Sequence, residues 1–98
     1  MSNALATLTV EDFERHSGES FTLTAADRAI ALKLASVERL GQALREGGAF
    51  SLQFHAPAGP ILRQAIYPLH HPALGTLELF IVPIKPENGV NRYEAVFT

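Results

Sequence analysis

Apolar and polar residues alternate along most of the chain after residue 20, which is the period of a β-strand with one buried face. The clearest case is Phe50, Leu52 and Phe54, which alternate with polar residues. The same spacing predicts strands over residues 21–24, 29–38, 61–69, 76–84 and 92–97. Short connections force antiparallel neighbours. We therefore predict a mainly β fold of about six antiparallel strands, closed as a small barrel or folded as a sandwich.

The middle of the chain has a competing interpretation. Residues 25–46 are rich in Ala, Leu, Arg and Glu, which also favour a helix. The alternation of Ile30, Leu32 and Leu34 with smaller or polar residues favours a strand instead. Residues 41–48 are predicted as a loop or a short helical turn.

A short helix is predicted over residues 10–16. Thr9 can cap its first turn, and the acidic residues after it suit the positive end of the helix dipole. Gly18 suits a left-handed stop. Two turns of helix are unstable alone, so we expect Phe13 to pack the helix on the sheet.

Two segments predict tight turns between the later strands. In residues 71–75, Pro72 presets the first central position and Gly75 can take a positive φ. Residues 86–89 supply the second turn. Pro68 lacks a backbone N–H, so its strand should lie at an edge or be bulged there.

Composition indicates one globular domain over residues 1–98. The chain is 47% hydrophobic, has no cysteine and carries a formal charge of -2. The missing cysteines exclude disulfides and thiolate metal sites. The scattered basic residues give no footprint for nucleic acid, and no apolar run is long enough to span a membrane. Residues 1–9 lack signal-peptide features, so we expect a protein that is cytoplasmic as synthesised.

The histidines do not form a recognisable metal or catalytic motif. Adjacent residues on a strand point to opposite faces, which separates His70 from His71, and His55 lies on the polar side of its strand. Catalysis would need His55 or His70 within hydrogen-bonding reach of Glu78 or Glu94. Nucleophile and phosphate-loop motifs are missing. We predict no enzyme, no metal site and no cofactor.

The strand around residues 79–84 is apolar on both faces, although a single antiparallel sheet layer should have one polar face. One explanation, which we favour, is that the N-terminal helix covers the second face through Phe13. The other is that Phe80, Val82 and Ile84 form an interface with another chain.

Several spaced motifs cover nearly the whole chain. They are Phe13-x-x-His16-x-Gly18-x-x-Phe21, Phe50-Ser51-Leu52-x-Phe54-x-x-Pro57, Gln64-x-Ile66-Tyr67-x-Leu69-x-His71-Pro72-x-Leu74-Gly75, Phe80-x-Val82-Pro83 and Arg92-Tyr93-Glu94-Ala95-Val96-Phe97. Together they resemble a family of small bacterial proteins catalogued as a domain of unknown function. The resemblance implies no catalytic residues. Members of this family are associated with genes for phage-tail-collar-type proteins. The resemblance therefore implies a tail-fibre-like or secreted-filament context.

Two functions follow as hypotheses. The first is a non-enzymatic structural or interaction domain that associates with itself, as a homo-oligomer, or with a tail- or fibre-like protein. The second is a small barrel that binds an apolar or saccharide ligand in a pocket lined by Tyr67 or Phe80. A solid core would count against the second hypothesis; its expected members are Phe50, Leu52, Phe54, Leu77 and Leu79.

Overall fold

A computed structural model describes residues 8–25, 28–41, 49–57 and 61–97. It has one short helix and six strands in this part of the chain. Their bounds are α1 Val10–Glu14, β1 Ser20–Ala25, β2 Arg28–Arg39, β3 Phe50–Ala56, β4 Ala65–His71, β5 Gly75–Glu87 and β6 Val90–Phe97. The loop or short helical turn predicted at residues 41–48 lies outside the described residues from residue 42 onward.

The six strands close into a barrel in the order β1-β2-β3-β6-β5-β4. All neighbouring pairs are antiparallel. The prediction of a mainly β fold is confirmed. Of the two predicted architectures, the structure is the barrel and not the sandwich. In the described residues of the middle segment, β2 replaces the competing helix because Leu32 and Leu34 both point into the barrel.

Helix α1 begins with the predicted cap. Thr9 accepts a hydrogen bond from the Asp12 N–H, and the Asp12 carboxylate accepts one from the Thr9 N–H. The helix ends at Glu14, earlier than predicted, because a turn then leads to Gly18 at a φ of 87°. There the Gly18 N–H already donates to the Leu34 carbonyl, so the chain joins the sheet at this point.

One tight turn and one side-chain hydrogen bond account for two strand bounds that differ from the prediction. Asn88 and Gly89 have φ values of 55° and 75°, as in the two-residue turn that best fits strand twist. That tight turn lets β5 continue to Glu87. By contrast, β4 begins only at Ala65, since the Leu62 N–H before it donates to the Tyr93 hydroxyl rather than to a strand.

Two irregularities shape the barrel wall. The register of β2 against β3 shifts between Leu34 and Ser36, which leaves Ala35 as an extra residue that bends the strand. The pairing of β4 with β1 covers only Leu69 and His70, the two residues that follow Pro68. The prediction that Pro68 lies at an edge or a bulge is wrong, because β4 has a neighbour on both sides in the closed barrel and Pro68 pairs with Glu78 without a register shift. In the part of the chain that the structure describes, Pro68 has no pairing partner on β1, which spares the hydrogen bond that it could not donate there.

The barrel interior is filled by side chains. Phe13 enters from α1, and its ring lies 5.4 to 6.4 Å from three aromatic rings of the wall, those of Phe97, Phe50 and Phe21. The largest side chains less than 2% exposed are Tyr93, Phe13, Phe21, Phe50, Phe54, Leu23, Leu32, Leu34, Leu52, Leu69, Leu77 and Ile81. The helix is thus a plug of this core. Among the described residues, no helix is long and apolar enough to cross a membrane.

Candidate functional sites

Three exposed apolar side chains form a row across the outside of β4, β5 and β6. Ile66 is 65% exposed, Phe80 53% and Val96 51%. Ile66 pairs directly with Phe80. Val82 pairs with Glu94, and Val96 lies two residues further along β6 on the same outer side, in the direction of Phe80. We call Ile66, Phe80 and Val96 the outer apolar row.

The predicted interface residues lie on this same outer side of β5. Phe80 is exposed, whereas Val82 and Ile84 are half-buried. The favoured expectation that α1 covers this face is wrong, because Phe13 packs inside the barrel and more than half of Phe80 remains in contact with solvent. Ile66 and Val96 could not be predicted as part of this surface from the sequence, since only strand register brings them near Phe80.

Charged residues flank the apolar side chains of β5. Glu78 is exposed two residues before Phe80. At the other end, Arg92 pairs with Ile84 in the β5–β6 register. The Arg92 Nε donates to the Lys85 carbonyl at 3.0 Å, and its guanidinium lies 3.9 Å from the Glu87 carboxylate. The outer side of β5 therefore runs from Glu78, through an apolar middle that Glu94 of β6 borders at Val82, to the Arg92–Glu87 ion pair.

A second cluster gathers residues from three segments at one end of the barrel. The Glu19 Oε1 lies 3.0 Å from the His16 Nδ1 and 2.7 Å from the His71 Nε2. His16 follows the helix, Glu19 precedes β1 and His71 ends β4. The two imidazole centroids are 4.4 Å apart, and His71 also packs 4.8 Å from the Phe21 ring. We call His16, Glu19 and His71 the histidine cluster.

The hydrogen bonds fix the proton positions in this cluster. The Ala73 N–H donates to the His71 Nδ1 at 3.0 Å, so that nitrogen carries a lone pair. The neutral His71 ring therefore holds its proton on Nε2 and donates it to Glu19. The His16 Nδ1–H donates to the same carboxylate oxygen. Only 5% of the His71 side chain is exposed, against 51% for Glu19, so the cluster opens to solvent on the carboxylate side.

The hydrogen bonds from His71 and then from His16 hold the pKa of the Glu19 carboxyl below its ordinary value. A carboxyl whose folded pKa is lowered stabilises the fold above its unfolded pKa, and this contribution is lost as the pH falls through the folded pKa. We expect the difference in unfolding free energy between the natural chain and Glu19→Gln to shrink as the pH is lowered below about 4.5. Urea unfolding of both proteins across this range measures it; a difference that stays constant in acid would contradict the expectation.

The candidate histidines from the sequence are not the ones that meet a carboxylate. His70 is exposed, and its Nδ1 lies 3.1 Å from the Thr76 hydroxyl rather than near Glu78. His55 pairs in register with Lys33 on one side and Arg92 on the other. The expectation that His70 and His71 face opposite sides is confirmed by their burial. No local sequence pattern could reveal the histidine cluster, because Glu19 and His71, which share a hydrogen bond, are 52 residues apart in the sequence.

The fold defines the class of protein: a closed six-stranded antiparallel barrel plugged by a short N-terminal helix. Residues 8–97 match a family described as a domain of unknown function, DUF6916. The chain belongs to this family, which confirms the resemblance at the level of an unknown-function domain. Comparisons with curated proteins and with solved structures found no match.

Proposed function

We propose that this protein is a non-enzymatic interaction domain that self-associates through the outer side of β4, β5 and β6. The outer apolar row carries the proposal, because three neighbouring exposed apolar side chains in water favour a protein contact. Every strand of the closed barrel already has two neighbours. A face-to-face contact therefore suits this molecule better than the addition of a strand.

A second copy is the partner that the charges fit best. Consider a two-fold axis that passes over Ile81, parallel to the sheet surface and perpendicular to β5. This axis sets Phe80 against the partner's Val82. The same axis sets Glu78 beside the partner's Ile84 and Arg92. Such a surface is complementary to itself, as a two-fold dimer requires. The axes of three strands about 4.8 Å apart span only roughly 10 Å. We therefore expect a weak, micromolar dimer rather than a permanent one.

We expect Phe80→Ser to weaken self-association by about tenfold or more, since an aromatic side chain at the centre of an interface contributes strongly to binding. Sedimentation equilibrium from micromolar to millimolar protein measures the dissociation constant. Leu40→Ser is the control, because Leu40 is an exposed apolar residue, at 36%, just after β2, the strand opposite β5 in the barrel. A natural chain that stays monomeric over the whole range removes the proposal.

Charge reversal tests the two-fold arrangement itself. Glu78→Arg and Arg92→Glu should each weaken the dimer, because each places like charges together. An equimolar mixture of the two variants should recover association, since both cross-contacts are then of opposite sign. If Phe80→Ser disrupts the dimer but the mixture does not recover it, the surface is right and the two-fold arrangement is wrong.

As the wider setting we propose a tail-like or fibre assembly, built from subunits that are cytoplasmic as synthesised. This rests on the association of the resembled family with phage-tail-collar-type proteins, whereas the description of the matched family names no such assembly. Purification of the protein from its native cells, followed by identification of what accompanies it, tests this setting. The alternative of a ligand-binding barrel has less support. The five residues expected to fill a solid core, Phe50, Leu52, Phe54, Leu77 and Leu79, are all at most 2% exposed.

A further inference from the structure

We propose that the histidine cluster is a binding site for a divalent transition-metal ion of the zinc type. Two imidazoles and one carboxylate, with further positions left to water, make up a donor set that proteins use for zinc. The donor atoms of His16, Glu19 and His71 all lie within 4.8 Å of one another. This inference is independent of the proposed self-association, because the cluster lies at one end of the barrel and shares no residue with the outer apolar row.

The geometry favours an ion between the two imidazole nitrogens, beside the carboxylate oxygen that both now contact. Both imidazole N–H groups point at one oxygen, Glu19 Oε1. Without their protons, the lone pairs of the His16 Nδ1 and the His71 Nε2 would therefore converge beside that oxygen. Ligands about 2.1 Å from a zinc ion lie closer together than the widest pair here. Because Glu19 Oε1 is already within 3.0 Å of both rings, the widest pair is the two imidazole nitrogens. The site must contract around the ion by movement of the His16 ring, which is more exposed than the His71 ring.

The surrounding residues hold the His71 ring in place and leave the Glu19 side of the cluster open to solvent. The His71 ring packs against both the Phe21 ring and the His16 ring, at centroid distances of 4.8 and 4.4 Å. Its side chain is 5% exposed, so it has little freedom to lose on binding. Water and an ion reach the cluster from the Glu19 side. Nitrogen donors select zinc, nickel or copper over magnesium and calcium, which prefer oxygen ligands.

Metal binding rearranges protons in a defined way. Each neutral ring keeps one proton, which moves from the metal-binding nitrogen to the other nitrogen of the ring. For His71 the proton moves from Nε2 to Nδ1, where the Ala73 N–H now donates. That hydrogen bond must break, so the turn at Ala73 shifts when the ion binds. Because protonated imidazoles must also lose a proton, affinity falls in acid.

Calorimetric titration of the purified full chain with zinc chloride tests the site. We expect saturable binding of one ion per chain and no comparable binding of magnesium. His16→Gln and Glu19→Gln should each reduce the affinity by about tenfold or more, since even outer partners of metal ligands have effects of that size. Both residues are more exposed than His71, so these variants should fold, which circular dichroism checks. His70→Gln is the matched control, and its affinity should be unchanged.

Nuclear magnetic resonance supplies a readout that surface binding would not give. With zinc bound, the His71 ring nitrogens should switch from the Nε2–H to the Nδ1–H tautomer, and the Ala73 amide signal should move. Non-saturable binding, equal affinity in His16→Gln and Glu19→Gln, or loss of binding in His70→Gln would overturn the site. In each of those cases the cluster is a structural hydrogen-bond network only.

Discussion

Phe13→Ala is expected to lower the free energy of unfolding by about 3–5 kcal/mol, the usual cost of deleting a buried phenylalanine ring. The Phe13 side chain is completely buried and meets the rings of Phe50, Phe97 and Phe21 at the end of the barrel. Its removal leaves a cavity among aromatic rings and takes away the main contact that holds a helix of five residues. Urea unfolding followed by tyrosine fluorescence and circular dichroism measures the change.

Arg15→Ala is the control for this prediction. Its side chain is 71% exposed, and its nearest carboxylate, on Asp12, is 4.0 Å away. An exposed ion pair of this kind contributes little, so the change should stay within about 0.5 kcal/mol. If Phe13→Ala costs no more than Arg15→Ala, α1 is not a plug of the core, and the helix has to be placed elsewhere.

His71→Ala is expected to cost about 2 kcal/mol, because it leaves a small cavity and deprives the Ala73 N–H and the Glu19 carboxylate of a partner. The neighbouring His70→Ala should change the unfolding free energy by no more than about 0.5 kcal/mol, since His70 is exposed. Measurement in a chelator separates this structural effect from any effect of metal.

The comparison of His70 with His71 is informative because the two residues are chemically identical and adjacent. Only the side of the strand on which each lies distinguishes them. Equal losses of stability would show that His71 does not hold the two hydrogen bonds described above. A larger loss for His70→Ala would reverse the assigned faces of β4 and, with them, the position of Ile66 in the outer apolar row.

The outer apolar row and the histidine cluster can be distinguished by whether their effects depend on protein concentration. The outer apolar row lies on regular strands, and its effect should be concentration-dependent, since it acts between molecules. The histidine cluster lies where the helix, β1 and β4 meet, and its effects should be independent of protein concentration. Experiments at two protein concentrations, with and without zinc, therefore separate the two proposals.

Local chemistry was enough to predict most of the secondary structure. Alternation of Phe50, Leu52 and Phe54 marked β3, and Thr9 marked the start of α1, because strand period and helix capping act over a few residues. The same holds for Gly75, whose φ of 80° was anticipated from the turn. Strand ends were less accurate; β4 begins at Ala65 because a distant group, the Tyr93 hydroxyl, holds the preceding Leu62.

What the sequence determined by itself is a β-rich chain with an apolar strand around Phe80, since side-chain period and turn chemistry are local properties. Whether α1 lies over that strand or inside the barrel was decided only by the tertiary structure, where Phe13 reaches a pocket of aromatic rings. The outer apolar row and the histidine cluster were also decided there. Both depend on which residues of different strands become neighbours, and closure of the barrel fixes that through register.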